Sequence, residues 1–350
     1  VSFFPQLIQG PIARFDQLES QLVTPHRFDL DGIERGLLLM LWGWFKKKVI
    51  ADRALSLVEA VFGSQSAYGG AVIVVGVLFY SLQQYADFSG GIDLVTGIAQ
   101  LFGIQLAPNF KRPYFSVSLG DFWRRWHISL GAWMRDYVFY PFALTRPVSR
   151  MSKALKKKAG THIARALPAA LGNVLVFLLV GIWHGAQMNY VLWGLYNGVI
   201  LAFTALVEPV YKRMNDRLPR LTASGGFHVF RILRTFLVVN IGWYFDRCVH
   251  VSDAFAMLHK TFFAFNAQQL FDGTLDTLGL AAKDYRILLV ATIILFVVSL
   301  MQERGVKIRD FVLSRPLALR WAVLYAFIFF VLATFGGSNV AASGFMYAVF

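Results

Sequence analysis

The sequence predicts an all-α, polytopic integral membrane protein with about eight or nine helices. Two observations support this fold class. Of the 350 residues, 57% are hydrophobic and only 15% are charged, whereas soluble domains carry about 25% charged residues. Several stretches long enough to cross a bilayer also contain no Asp, Glu, Lys or Arg. The composition excludes a disordered chain, a disulfide-stapled secreted module and an ordinary cytosolic enzyme.

Uncharged stretches predict the spanning helices. The first is residues 60–86, with its core at 72–80. Residues 166–207 are uncharged over 42 positions, and the glycines and amides within them predict two spans, near 167–183 and 189–207. Residues 287–301 and 321–350 predict the last spans, and the final stretch is expected to break at Gly336-Gly337.

Further apolar segments are interrupted by glycine, proline or charge, namely 36–45, 94–110, 122–144 and 227–245. Polar backbone and charge are tolerated at membrane depth only where they face protein or a water-filled cavity. We therefore expect tilted or re-entrant helices surrounding a polar tunnel. No internal repeat is visible, and we expect a single membrane-embedded domain over residues 1–350.

The net charge of +14 is interpreted as basic loops held against an anionic membrane face, not as a nucleic-acid surface. Residues 145–165 hold seven basic residues and no acid, which predicts a cytoplasmic loop. A second basic loop is expected around Lys212-Arg213 and 217–220, on the same side. Cys248 is the single cysteine, so an internal disulfide is excluded and no metal site is predicted.

The start of the chain, at Val1, shows no basic region followed by an apolar core and a cleavage site. We therefore expect that the chain is truncated.

His184 is the most informative residue, because no other Asp, Glu, Lys, Arg or His lies between residues 166 and 207. A histidine at membrane depth is a functional candidate by default. Its ordinary pKa near 6.5 allows it to accept and return a proton at neutral pH. Gly181 and Gly185 flank it and permit close approach of backbone or substrate. The alternative is a histidine that hydrogen-bonds between helices for packing.

A second candidate region runs from Asp121 to Tyr137 and is rich in tryptophan and arginine. Ser118 and Asp121 have the spacing of a helix-capping pair. On a helix from there, Arg124, His127, Gly131 and Arg135 would form one stripe, beside an aromatic and apolar stripe. This pattern predicts a helix that lines the tunnel. The alternative is a helix anchored at the lipid headgroups by arginine and tryptophan.

Asp87 and Asp93 bracket a glycine-containing segment, and we expect them to pair with arginine or to support a helix break. Their predicted role is structural. Residues 109–114 predict a turn, because Pro113 disfavours a helical Arg112.

These residues resemble the membrane-bound O-acyltransferase family, in particular the bacterial alginate O-acetylation proteins, with the teichoic-acid D-alanyl transfer proteins as near relatives. The resemblance rests on motifs in order and spacing over most of residues 1–205: Phe3 to Ile12, Asp87 to Asp93, Asn109 to Tyr114, Asp121 to Leu130, Trp133 to Tyr137 and Trp183-His184-Gly185. Gly91 and Gly131 depart from the usual family residues. The resemblance also implies further membrane helices ahead of Phe3, which supports a truncated chain.

The resemblance implies that His184 is the catalytic histidine and that His127 is a second functional residue. The predicted tunnel or substrate-orienting residues are Trp183, Gly185, Arg124, Trp126, Arg135, Asp136 and Asn109. No tightly bound cofactor is expected. The acyl donor would be a thioester, either acetyl-coenzyme A or an acyl carrier.

The expected function is transfer of an acyl group, preferably acetyl, from a cytoplasmic thioester to a hydroxyl for modification of a cell-surface polysaccharide. Expected partners are the polysaccharide or an extracytoplasmic acyltransferase, together with membrane lipid, and the expected location is the bacterial inner membrane. D-alanyl transfer to teichoic acids is an alternative within this class. A proton-coupled transporter using His184 and Asp87, or a catalytically silent scaffold, is an alternative outside it.

Overall fold

The computed structural model describes residues 3–7, 9–334 and 344. Helices dominate this part of the chain, and no strand occurs within it; the sole β pairing is an isolated bridge between Phe110 and Trp126. The all-α class predicted from the sequence is confirmed.

The chain divides into two compact units, one formed by residues 1–109 and 259–350 and the other by residues 110–258. The α-helices of the first stretch are α1 (Phe15–Val23), α2 (Leu30–Trp44), α3 (Asp52–Gly63) and α4 (Gly70–Leu101), and a π-helix, Phe45–Ala51, joins α2 to α3. The second unit contains α5 (Leu119–Arg125), α6 (Ile128–Met134), a π-helix (Arg135–Phe139), α7 (Tyr140–Ala143), α8 (Arg146–His184), α9 (Met188–Leu206), α10 (Glu208–Arg217), α11 (Pro219–Thr222) and α12 (Gly225–Arg247). The remaining helices are α13 (Val251–Phe263), α14 (Ala282–Glu303), α15 (Ile308–Leu313) and α16 (Leu317–Thr334).

Five helices are long and apolar enough to cross a membrane: α4, α8, α9, α14 and α16. They confirm the spans predicted near 167–183, 189–207 and 287–301, and the described part of the predicted C-terminal span. The expected break at Gly336-Gly337 lies outside the described residues. The total of eight or nine membrane helices and the single embedded domain stay predictions.

One correction concerns the first predicted span. The span was predicted over residues 60–86, with 94–110 as a separate interrupted segment and pairing or a helix break at Asp87 and Asp93. In the structure, residues 60–63 end α3, and α4 runs without interruption from Gly70 to Leu101. No break is needed because both carboxylates are neutralised within the first unit by lysines, not by the arginines that were expected.

These ion pairs form a buried lysine–aspartate network, defined as Lys46, Lys47, Lys48, Asp52, Asp87 and Asp93. Lys46 Nζ lies 2.8 Å from a carboxylate oxygen of Asp93 and donates to Ser89 Oγ at 2.8 Å. Lys47 pairs with Asp87 and, at 3.0 Å, with Asp52. The three lysines are consecutive residues of the π-helix Phe45–Ala51, so this wide helical turn carries the cations of the network.

Glycines let α2 and α4 approach closely within the first unit. A Cβ added at Gly43 would lie 2.6 Å from the carbonyl oxygen of Gly90, and one added at Gly36 would lie 2.8 Å from that of Gly97. Gly36 and Gly43 are seven residues apart in α2, and Gly90 and Gly97 are seven residues apart in α4, which is about two helical turns in each case. The earlier glycine of α2 faces the later glycine of α4. The two helices are therefore antiparallel and packed backbone to backbone, as small residues permit in membrane proteins.

A second correction concerns the basic stretch 145–165, which was predicted to be a loop. Residues 146–184 are helical apart from Gly160, whose φ of 85° and ψ of 174° interrupt the helix. Alanine, leucine and lysine are good helix formers, and these residues dominate positions 153–159. The cytoplasmic location of this stretch stays a prediction.

Candidate active site

The tryptophan-rich segment begins as a helix but ends earlier than predicted. Ser118 Oγ accepts a hydrogen bond from the backbone N–H of Asp121 at 3.1 Å, which confirms the predicted cap of α5. That helix ends at Arg125, and His127 adopts a left-handed conformation with φ of 48° before α6 begins. Non-glycine residues adopt this conformation uncommonly, although histidine is enriched among those that do.

The left-handed residue changes the direction of the helix, so the predicted single stripe of Arg124, His127, Gly131 and Arg135 is wrong. Sequence spacing implies a shared face only while the helix continues, and here the helix ends at Arg125, before the second tryptophan of the segment. His127 instead lies at a junction between two short helices.

His184 lies at a second junction, as the last residue of α8. Gly185 ends this helix, and α9 starts three residues later at Met188. A Cβ added at Gly181 would overlap the backbone carbonyl of Tyr190, so the two helices meet in close backbone contact next to the imidazole. The chain therefore turns from the first of the two predicted spans into the second at the Trp-His-Gly motif.

The structure brings the two histidines to one site through Trp183. The Trp183 ring centroid lies 5.0 Å from that of His184 and 6.5 Å from that of His127. Two further rings enclose His184: Trp193 at 5.2 Å and, stacked at 6.2 Å, Tyr190. The candidate catalytic imidazoles thus share an aromatic environment although 57 positions separate them in the sequence.

A tryptophan cluster continues from this site and consists of Trp123, Trp126, Trp193 and Trp243. Trp123 contacts Trp193 edge to face at a centroid distance of 5.6 Å, and Trp193 stacks on Trp243 at 6.4 Å. Trp126 lies 5.8 Å from Trp243. These rings tie α5, α9 and α12 together behind the imidazoles. Trp126 was a predicted site residue, and the structure places it in this buried wall.

Two asparagines of α9 support the cluster, and the sequence had not marked them as site residues. Asn197 accepts a hydrogen bond from Trp123 Nε1 at 3.1 Å. Asn189 donates through Nδ2 to the backbone carbonyls of Phe245 at 3.3 Å and Cys248 at 2.8 Å, at the end of α12. The signal was present, because an amide within an uncharged span costs free energy unless it is hydrogen-bonded. Asn189 was predicted only to help separate the spans 167–183 and 189–207, and it lies in the first turn of α9, next to that separation.

Burial determines the protonation of His127, which lies outside the five apolar spans and is 8% exposed. Loss of hydration and, to a smaller extent, the nearby charge of His184 together lower the pKa of His127 to about 3. The imidazole is therefore neutral at pH 7, so it can both donate and accept a hydrogen bond but carries no positive charge.

Three predicted tunnel residues are exposed in the structure: Arg124, Arg135 and, at 50%, Trp183. Arg124 lies 3.5 Å from Asp121, and Arg135 lies 2.8 Å from Asp136. Their side chains are 73% and 56% exposed, as the alternative of headgroup anchoring would require. The proposed tunnel roles of Arg124, Arg135 and Asp136 stay predictions.

Gly185 and Asn109 complete the predicted set. A Cβ added at Gly185 would lie 2.7 Å from the ring of Tyr190, so this glycine makes room for the ring that stacks on His184. Asn109 belongs to the first unit and is buried there. Its predicted role in orienting substrate is untested. The turn was predicted at residues 109–114; in the structure, Pro113–Phe115 form a 3-10 helix, and Arg112 before it is left-handed with φ of 48°, outside the right-handed helical region as Pro113 predicts.

A sequence model of the membrane-bound O-acyltransferase (MBOAT) family matches residues 1–241. This range contains both histidines and every residue of the tryptophan cluster except Trp243. The chain belongs to the membrane-bound O-acyltransferase family.

Curated relatives of this MBOAT chain act on different acceptors according to their names. The peptidoglycan O-acetyltransferase of Helicobacter pylori is 32% identical over 74% of this chain and 45% of its own length. The probable alginate O-acetylase AlgI of Pseudomonas syringae pv. tomato is 34% identical over 77% of this chain and 46% of its own length. The teichoic acid D-alanyltransferase of Bacillus subtilis is 27% identical over 70% and 59%. The chain thus spans about half the length of the curated relatives it matches.

Metal binding was not predicted for this MBOAT chain. Within the described residues, no three His, Cys, Asp or Glu side chains come together in an arrangement that could hold a metal ion.

Proposed function

We propose that this protein is an O-acyltransferase of the bacterial inner membrane that moves an acyl group, preferably acetyl, from a cytoplasmic thioester to a hydroxyl of a cell-surface polysaccharide. One observation carries the proposal: two histidines from distant segments meet around Trp183 in a chain of the MBOAT family. The O-acetyltransferase relatives support the acetyl group.

His184 is the proposed general base. Its imidazole withdraws the proton of the acceptor hydroxyl while the hydroxyl oxygen attacks the thioester carbonyl. The new C–O bond forms, the C–S bond breaks, and the leaving thiolate receives the proton from the imidazolium. A positioned base of this kind contributes roughly 10²–10⁴-fold to the rate. The rings of Tyr190 and Trp193 hold the imidazole in one orientation.

His127 is the proposed orienting group. Because burial keeps its imidazole neutral, the ring can donate a hydrogen bond to the acceptor or to the oxygen on which negative charge develops. A fixed neutral donor serves this purpose without placing a second cation beside the imidazolium that forms on His184.

The donor and the acceptor are proposed to reach the histidines from opposite sides of the membrane. Acyl thioesters, such as acetyl-coenzyme A or an acyl carrier, are made in the cytoplasm, whereas the polysaccharide lies outside. The proposed tunnel would let both reach one site, with an extracytoplasmic acyltransferase as a further candidate acceptor. Five apolar helices and membership of a membrane-bound family support a membrane location.

The decisive experiment supplies labelled acetyl-coenzyme A, or a labelled acyl carrier, to membranes that contain the protein and follows the label into polysaccharide. The His184→Ala variant should lose at least about 10²-fold in transfer rate. His162→Ala is the matched control, since His162 lies in the same helix α8 but contacts the backbone carbonyl of Leu206 at 3.0 Å. The control should retain transfer.

Equal transfer by wild type and His184→Ala would remove His184 from the mechanism. Uptake of a small solute without acyl transfer would instead favour the transporter. Label entering teichoic acid from a D-alanyl donor, but not from an acetyl donor, would replace the acetyl group in the proposal.

A further inference from the structure

The first half of α8 is a helix with two chemically distinct faces, which we name the basic arm and define as residues 146–159. Arg146, Arg150, Lys153 and Lys157 are spaced by four, three and four residues, so they share one face, and all are exposed. On the opposite face, Val148 is buried and Met151 and Leu155 are half-buried. The apolar face therefore packs against the rest of the protein, and the cationic face is exposed on its surface.

The basic arm folds back on the membrane span that follows it. Gly160 has a backbone conformation that is essentially restricted to glycine, with φ of 85° and ψ of 174°. Across this bend, Ser152 Oγ donates to the backbone carbonyl of Ala164 at 2.8 Å. In a straight helix these residues would be about 18 Å apart along the axis. The arm therefore turns beside the start of the span instead of extending it away from the membrane.

The position of the bend relative to α9 shows at which end of the helical pair the arm lies. His162 contacts the backbone carbonyl of Leu206, the last residue of α9, and Arg165 lies 3.2 Å from Glu208, the first residue of α10. The arm thus lies where two apolar spans begin and end, the level at which lipid headgroups meet a membrane protein.

Large apolar side chains are exposed at the same end of these helices. Leu144, directly before the arm, is 80% exposed, and Val210 and Leu221 on α10 and α11 are exposed as well. Exposed apolar residues interspersed with lysine and arginine are typical of segments at the boundary between headgroups and acyl chains. A surface for a soluble acidic protein would not need these side chains.

We propose that the basic arm binds the headgroups of anionic phospholipids, with its cationic face toward the phosphates and the bend at Gly160 holding it at the membrane surface. Clusters of four or more basic residues next to a span are attracted to anionic lipid in this way. The assignment goes beyond acyl transfer and does not rest on it.

The test is lipid selectivity of the complete chain reconstituted in phosphatidylcholine. Spin-labelled phosphatidylglycerol and spin-labelled phosphatidylcholine are compared by the fraction that the protein immobilises. We expect wild type to prefer phosphatidylglycerol and added salt to weaken this preference. The triple variant Arg150→Gln/Lys153→Gln/Lys157→Gln should lower the preference roughly tenfold or more, since each basic residue at an anionic surface contributes about a fivefold factor.

The matched control is Arg304→Gln/Lys307→Gln/Arg315→Gln, which removes the same charge from three exposed residues of the segment 304–315. Because these residues are outside the arm, the control should keep most of the preference. An equal loss in both variants would mean that net charge alone attracts the lipid, and it would overturn the assignment to the arm.

Unchanged selectivity in the triple variant would also overturn it. If, in that case, the variant lost binding of a soluble acyl carrier protein, the arm would be a protein-docking surface. A Gly160→Ala variant gives a second measurement, because loss of the bend should reduce the selectivity while all of the charges remain.

Discussion

The two units of the molecule accommodate buried polar groups in different ways. In the first unit, each lysine of the lysine–aspartate network meets a carboxylate within 3.0 Å. In the second unit, the ring of Trp183 lies beside both His127 and His184, and the rings of Tyr190 and Trp193 enclose His184. Charge is neutralised by pairing in one case, while in the other burial keeps His127 neutral.

The two kinds of buried polar group differ in whether they can take part in a reaction. A buried ion pair holds both partners in place, and breaking it leaves an uncompensated charge. A buried neutral imidazole keeps its capacity to exchange a proton or a hydrogen bond with a substrate. Asp87 and Asp93 are held in ion pairs with Lys47 and Lys46, whereas the contacts described above for both histidines are with aromatic rings. The structural role of the aspartates and the reactive role of the histidines stay predictions.

The largest expected effect comes from removing the central lysine of the network. Lys47→Met leaves Asp87 and Asp52 without this buried cation, so it should lower the free energy of unfolding by about 3–5 kcal/mol. Chemical unfolding in detergent micelles measures the change. Arg165→Met is the control, because its ion pair with Glu208 is exposed on both sides and should contribute about 0–1 kcal/mol.

The double variant Lys47→Met/Asp87→Leu sharpens this prediction, since removing both partners should restore part of the lost stability. A Lys47→Met change no larger than that of Arg165→Met would mean that the network is not structural, and the contrast between the two units would fail.

A smaller effect is expected from pH. The folded pKa of His127 is lowered to about 3, below the value near 6.5 of an unfolded histidine. Below about pH 6.5 the unfolded chain binds a proton that the folded chain excludes, so stability falls as pH falls toward 3. From about pH 7 to about pH 5 this group should remove roughly 2 kcal/mol.

The measurement compares wild type with His127→Gln at both pH values, because other titrating groups are common to the two proteins. The variant should lose less stability on acidification. An identical loss would show that burial does not hold His127 neutral in the folded protein.

The smallest effect is expected at the bend of the basic arm. Gly160→Ala places a side chain at positive φ and should destabilise by about 1 kcal/mol, although no atom lies within 4 Å of the added Cβ. Unfolding of this variant is compared with that of Gly226→Ala, where the site is equally open but the glycine is helical. If both changes were neutral, backbone conformation would not hold the arm.

The fold was predictable where a long uncharged stretch sets both the type and the length of an element. This was so for α9 and α14, whose bounds agree with the predicted spans to within a few residues. His184 and His127 were also found from the sequence, because an imidazole is conspicuous in apolar surroundings.

The remaining features depend on contacts between distant segments. The continuity of α4 through Asp87 depends on a lysine 40 positions earlier, and hydropathy cannot show that the charge is paired. Trp193 and Trp243 resemble any core residue until α9 and α12 pack. The left-handed turn at His127 leaves no signal in helical spacing, which assumes that the helix continues.

The π-helix Phe45–Ala51 sets a constraint on how this gene can vary. A π-helix holds one more residue per turn than an α-helix, and this extra residue helps to orient three consecutive lysines. Loss of a single codon here would restore the tighter winding and rotate Lys46 and Lys47 by about 100° relative to their partners Asp93 and Asp87 in α4. Related genes should therefore tolerate an exchange such as Lys48→Arg in this segment but not a change in its length.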